Sequence, residues 1–387
     1  MGKYFVIDLF SGSGGSAWGF KSAGFNIGAA VEIDKTASAS FKANFPTAKV
    51  FAEDIQNITG EQLLNQSGLN LQSKDSLIIL ACPPCQGFSS ARRNDQRHND
   101  PRNNLVTEFV RLVKEIQPIA FVMENVPGLA KGIGKTLFEQ TIQELKKIGY
   151  KNHWQEILEV ADYGVPERRK RLVMIGTRNS NILLSKPPPT HRNPDKIDTN
   201  LPGWKTVREA ISDLPPIRGG EKNPKDLLHK AARVSELNLE RLKFTPENGG
   251  SRTAWPYRLW LKCHKKLQKK QRYGYGDIYG RMKWDSPSPT MTGGCVMISK
   301  GRFGHPKQNR AISLREAARL QTFPDSFIFE GNFGEIAKQI GNAVPPFFAQ
   351  KIAESLLIAI NEAKKVKNQK KFPITKEKIN FYVGSSV

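Results

Sequence analysis

Long apolar runs are missing from this 387-residue chain, cysteine and histidine are scarce, and acidic residues fall far short of basic ones. With 39% hydrophobic residues and no long uncharged stretch, the composition predicts no membrane span. The opening Met1-Gly2-Lys3-Tyr4-Phe5-Val6-Ile7-Asp8 is too short and too soon acidic for a signal peptide, and reads as a first strand. Four cysteines in so long a chain do not make a disulfide scaffold, which points to a reducing, intracellular setting. Cys82 and Cys85 form a CxxC without a second one to complete a zinc site; Cys263 and Cys295 stand alone, and the histidine nearest Cys85 is His98. No internal repeat is visible.

What is abundant is positive charge. Fifty-nine Lys and Arg against 36 Asp and Glu leave a formal net charge of +23. A polyanionic partner, most simply a nucleic acid, explains that excess. Charge alone does not distinguish DNA from RNA.

The first half alternates short apolar segments with amphipathic ones, the pattern of a doubly wound α/β sheet. Strands are expected at 4–8, 27–31, 49–52, 77–81 and 119–123, and a further pair at 154–160 and 172–176. Helices are expected at 38–44, 105–116 and 135–148, with Gly149 as a helix-ending glycine. After about residue 178 the prolines at 187–189, 194, 202 and 215–216 break the periodicity and mark a boundary. The chain is then basic and irregular to about residue 305; Arg258, Lys262, Lys265, Lys266, Lys269, Lys270 and Arg272 would form a cationic face if helical. Regularity returns at Ser313, with Glu316 three residues on as a capping box. A last helix is expected over 346–363, followed by a lysine-rich tail.

Candidate chemistry sits at strand ends. The first strand runs into Asp8-Leu9-Phe10-Ser11-Gly12-Ser13-Gly14-Gly15, where glycines let backbone approach a ligand; the loop lacks the Lys-Ser/Thr of a P-loop. The second strand ends in Val31-Glu32-Ile33-Asp34, with a carboxylate where a ribose would lie, and Glu53 and Asp54 follow the third; singly each acid reads as a solvated turn or helix cap, while three at successive strand ends favour a nucleoside cofactor. The fourth strand leads into Cys82-Pro83-Pro84-Cys85, whose prolines end the strand and stiffen the loop. Cys82 reads as packing and Cys85 as facing a cleft. Glu124 ends the fifth strand, in the crevice where open sheets bind ligands, or is a structural carboxylate. Arg169 and Arg171, alternate residues of an extended chain, share one face and suit a phosphate or carboxylate, or are a surface charge run.

Taken in order, Asp8–Gly15, Pro83-Pro84-Cys85-Gln86, Glu124-Asn125-Val126, Arg169-x-Arg171, the run from Arg315 to Pro324, and Gln339-x-Gly341-Asn342-Ala343-Val344-Pro345 resemble the DNA (cytosine-5)-methyltransferases of bacterial restriction–modification systems. The resemblance spans about residues 4 to 350. It implies a Rossmann-like S-adenosylmethionine-dependent catalytic domain, residues 1–177 plus 306–364. A smaller, irregular target-recognition domain at 178–305 and a basic tail at 365–387 would complete the chain. It implies Cys85 as the nucleophile, Glu124 contacting the cytosine ring, Arg169 holding the base or its phosphate, and Arg171 supporting the site. For the cofactor it implies Phe10 on the adenine, Glu32 on the ribose hydroxyls, Asp54 and Ile55 at the adenine, and Asn342 and Val344 at the methionine side. Ser11, Gly12, Gly14, Gly15, Ile33 and Pro84 complete that set. No metal is implied. The implied partner is double-stranded DNA, with the protein a cytoplasmic monomer and a cognate restriction endonuclease acting on the same site without stable binding. One position departs from the pattern: the usual Gln before the paired arginines is Glu167 here.

Overall fold

The computed structural model describes residues 4–69, 76–84, 105–196, 200–269 and 276–371. Among the described residues seven strands form one mixed sheet: β1 (Phe5–Leu9), β2 (Asn26–Val31), β3 (Lys49–Phe51), β4 (Leu77–Ala81), β5 (Ala120–Asn125), β6 (Asn152–Glu159) and β7 (Lys170–Thr177). The order is β3-β2-β1-β4-β5-β7-β6. The first five strands pair in parallel, while β7 runs antiparallel to both β5 and β6.

Helices cover the sheet and continue beyond it: α1 (Gly15–Ser22), α2 (Lys35–Asn44), α3 (Gly60–Gln66), α4 (Leu105–Ile116), α5 (Lys135–Lys147), α6 (Val207–Ile211), α7 (Glu236–Phe244), α8 (Lys262–Lys269), α9 (Leu314–Leu320), α10 (Phe333–Asn342) and α11 (Pro346–Lys371). Strand residues alternate between two cores. Val6, Ile78, Leu80 and Val122 face Phe20 of α1, Phe41 of α2 and Phe348 and Ile352 of α11. Ile7, Ile79, Phe121 and Met123 face Phe109 and Leu112 of α4 and Phe138 of α5. Burial on both faces explains why these strands read as unbroken apolar runs. The strand order reverses between β1 and β4, so the crevice outside their carboxyl ends is the position where such sheets bind ligands. The expected doubly wound α/β architecture is the one found.

Helix ends differ from the sequence reading for local reasons. α2 begins at Lys35 instead of residue 38 because the Asp34 carboxylate accepts the N–H groups of Thr36 and Ala37. The capping box forms as expected, with Ser313 and Glu316 each accepting the other's backbone N–H. α11 runs to Lys371 instead of stopping near 363, since the residues beyond Ala363 are mostly straight-chain helix formers. The stretch from Phe333 to Val366 has the length and hydropathy of a membrane span, yet 56% of its most apolar window is buried inside the molecule. α1 packs along α11, where a Cβ on Gly19 would lie 2.4 Å from the Pro346 carbonyl oxygen.

Beyond β7 the chain is largely irregular. A third core joins Val207 and Ile211 of α6, Met282, Met291 and Phe303 to Leu314, Phe323 and Ile340. A fourth, smaller core gathers Leu242, Trp255, Leu259, Tyr279, Ile298 and Ala311. Here buried arginines stand in for sheet and helix hydrogen bonds. Arg281, only 1% exposed, donates to the carbonyl oxygens of Leu242, Thr245, His305 and Gln308. Arg310 forms a fully buried, two-point pair with Glu316, both contacts at 2.7 Å. Of the cationic run, Lys262, Lys265, Lys266 and Lys269 lie in α8, Lys270 and Arg272 lie outside the described residues, and Arg258 lies in a preceding 3-10 turn, above the Phe244 ring and paired with Glu240.

Candidate active site

The loop after β1 is built for close approach. Phe10 adopts a left-handed backbone (φ 59°), a conformation costing a non-glycine residue roughly 1–2 kcal/mol. Gly14 opens α1 with φ 98°, and a Cβ there would stand 2.7 Å from the Phe45 ring. A Cβ on Gly15 would stand 2.6 Å from the Val344 carbonyl oxygen, so this loop lies directly against the α10–α11 connection. Glu32, at the end of β2, accepts the Gly12 N–H and the Asp34 N–H, each at 2.8 Å, tying the two strand ends together. Burial pushes the Glu32 carboxyl above its ordinary range. Ile33 beside it is 62% exposed. Asp54 accepts the Gln56 N–H, and Ile55 is buried with its carbonyl accepting from Arg111.

Asp8, at the carboxyl end of β1, is fully buried. Ser16 Oγ donates to its Oδ2 at 3.1 Å, while Oδ1 has no partner among the described residues. Burial pushes its pKa up to about 8 against that hydrogen bond, and the neighbouring Glu32 adds to the rise.

Cys82, one residue past β4, donates its N–H to the Leu9 carbonyl at 3.2 Å. Burial, reinforced by the Glu124 and Asp8 carboxylates, pushes its thiol well above the ordinary cysteine range. A thiol so held is a poor nucleophile. Asn125 Nδ2 donates to the Pro83 carbonyl at 3.0 Å, fixing the proline segment against the end of β5. Cys85 lies outside the described residues.

Glu124 and Arg171 meet across β5 and β7. Glu124 pairs in register with Val173, so Arg171 is its diagonal neighbour on the same face. Arg171 Nε stands 2.7 Å from Glu124 Oε1, with both side chains nearly buried. Burial and the adjacent Arg169 lower the Arg171 pKa to about 10 against the pull of Glu124. Arg169, 4% exposed, donates to the carbonyl oxygens of Met291 at 2.8 Å, Ala343 at 3.3 Å and Gly341 at 3.4 Å.

The loop of residues 10–15 thus meets Glu32 through Gly12 and the α10–α11 connection through Gly15, while Asn125, next to Glu124, holds the Pro83 carbonyl. Asn342 is exposed at the end of α10. Three contributors escaped the sequence reading. Asn125 was visible only as the residue after Glu124. Asp8 passed as part of the glycine loop, though its place at a buried strand end was a usable signal. Met291, 122 residues from Arg169, had no local signal at all.

A sequence profile of the C-5 cytosine-specific DNA methylases matches residues 4–357. The chain belongs to this family. It is 38% identical over 355 residues to the type II methylase M.HgiDII of Herpetosiphon aurantiacus, covering 91% of this cytosine methylase and 94% of that one. It is also 38% identical over 353 residues to the type II methyltransferase M1.HphI of Haemophilus parahaemolyticus, covering 91% and 86%. Among solved structures, a prophage-encoded E. coli protein assigned as a DNA modification methyltransferase superposes with a TM-score of 0.66 at 27% identity, covering 93% of this chain and all of that one. Spodoptera frugiperda DNMT2 shares the fold at 18% identity, with a TM-score of 0.57 and coverage of 93% and 100%. The methylase fold, and the family's reaction of cytosine-5 methylation in DNA, are therefore those of this enzyme.

Proposed function

We propose that this cytosine methylase uses S-adenosylmethionine and a covalent Cys85 adduct to modify one cytosine within a specific duplex sequence, as the modifying half of a restriction–modification system. The observation that carries the reading is the Glu124–Arg171 pair, 2.7 Å apart at the strand ends beside the proline segment that leads to Cys85. The loop of residues 10–15 fits a nucleoside-bearing donor. Space is open where a Gly12 side chain would be, the apolar Ile33 is exposed next to Glu32, and the buried Asp8 oxygen lacks a partner among the described residues. Phe10, Ser11, Gly12, Gly14, Gly15, Glu32, Ile33, Asp54, Ile55, Pro84, Asn342 and Val344 would hold the donor, which supplies an electrophilic methyl group.

Carbon 5 of cytosine is weakly nucleophilic, so the Cys85 thiolate adds first to carbon 6 and its electron pair raises the density at carbon 5. Glu124 holds ring N3 and the exocyclic amine, offsetting charge that builds during addition, while Arg171 orients that carboxyl. Carbon 5 then takes the methyl group, loses its proton, and the Cys85 thiolate leaves. The base must be flipped out of the duplex, at roughly a few kcal/mol, and the basic protein offsets this through phosphate contacts. Target recognition falls to 178–305, a basic region that supplies most of the fourth core. The enzyme would act as a cytoplasmic monomer, with the endonuclease competing for the same DNA site.

Transfer of labelled methyl groups to duplex DNA tests this. Cys85→Ser should lose roughly 10³-fold or more of the activity, and only the Cys85 enzyme should be trapped on 5-fluorocytosine DNA. An active, folded Cys85→Ser enzyme would sink the assignment.

A further inference from the structure

Glu167 is the position that departs from the family pattern, and it is completely buried. It sits where 166–169, leading into β7, pairs with 288–291. Glu167 bridges Ser288 in parallel, Ser288 donates its N–H to the Pro166 carbonyl, and Arg168 donates its N–H to the Ser288 carbonyl at 2.8 Å. Glu167 Oε1 accepts the Met291 N–H at 2.5 Å and lies 3.4 Å from Arg169 Nη1. The same Arg169 Nη1 donates to the Met291 carbonyl at 2.8 Å. Both polar groups of one residue are therefore gripped by two neighbouring side chains, and Thr292 presses against Gly341, where a Cβ would have to lie 2.0 Å from backbone.

We propose that Glu167 is a positioning residue for methyl transfer. Together with Arg169 it clamps Met291, and so fixes the segment around 288–295 against the chain leading into β7, the strand that carries Arg171, and against the Gly341–Ala343 turn. The assignment rests on the methyltransferase reading above. Burial pushes the Glu167 carboxyl above its ordinary range, against the pull of Arg169 and the Met291 N–H. A glutamine can do the same work. Its oxygen can take the place of Oε1, and its amide nitrogen would then face the side of Oε2, which has no partner among the described residues. A methionine fills the volume but cannot accept from Met291.

The test compares the wild-type enzyme with Glu167→Gln and Glu167→Met. Turnover is counted per site that binds labelled S-adenosylmethionine, which removes any unfolded fraction. The expected result is a Glu167→Gln enzyme within about threefold of wild type, and a Glu167→Met enzyme whose kcat falls by about tenfold or more while its KM for S-adenosylmethionine stays within about threefold. Hydrogen exchange by mass spectrometry supplies a readout independent of activity: peptides covering 288–295 should exchange faster in Glu167→Met and unchanged in Glu167→Gln. Full kcat in Glu167→Met, failure of Glu167→Gln to restore it, or unaltered exchange would each overturn the proposal. A wild-type enzyme that methylates no DNA would instead overturn the functional reading, leaving the exchange result to judge the clamp.

Discussion

The fold opposes the ionisation of Asp8 through burial. Its folded pKa of about 8 lies above the ordinary 3.8, so the native state keeps a proton that the unfolded chain has released. The stability tied to that proton is complete below about pH 4 and is lost as pH rises through 8. Asp8→Asn keeps a partner for Ser16 and removes the charge. Its melting temperature should exceed wild type by roughly 2 °C or more at pH 7.5 and match it near pH 4. An equal difference at both pH values would show that the carboxyl is not protonated in the fold. Side chains such as Asp8 are legible in sequence as members of a motif, but their burial is set by Ser16, Glu32 and the sheet together. The alternation of Arg169 and Arg171 was legible because extended backbone dictates it; the turn of Arg169 toward Met291, Gly341 and Ala343 depends on partners more than 120 residues away.

At the level of elements, the strands were legible because each buried strand is an apolar run bounded by turn residues, and α9 because its capping box is a local device. The region after β7 resisted for an equally physical reason. Its backbone carbonyls are satisfied by Arg281 rather than by a periodic ladder, and nothing in the spacing of residues announces such a bond. The contact between α1 and α11 gives an element-scale expectation. Gly19 has the Pro346 carbonyl 2.4 Å and the Gln350 nitrogen 2.5 Å from where a Cβ would be, and rigid helix backbone cannot yield as a side chain can. Gly19→Ala should destabilise the enzyme by about 1–3 kcal/mol despite alanine's better helix propensity. Denaturant unfolding that shows equal or greater stability would mean the two helices separate freely.

For the whole molecule, the net charge of +23 makes a quantitative statement about DNA binding. An enzyme covering six or more phosphates should show a log–log salt slope of about −5 or steeper, losing roughly 10³-fold in affinity between 50 and 200 mM salt. A slope shallower than about −2 in a titration with duplex DNA would mean that the excess charge faces elsewhere.

The arginine-to-carbonyl wiring around Arg281 carries a consequence for evolution. A fold region whose interior is secured through main-chain oxygens makes few demands on the identity of its outward side chains. Those side chains are free to drift. On the proposal that this region reads the target, a lineage of such enzymes could explore new DNA words by point mutation at the surface, without first rebuilding the scaffold that presents them.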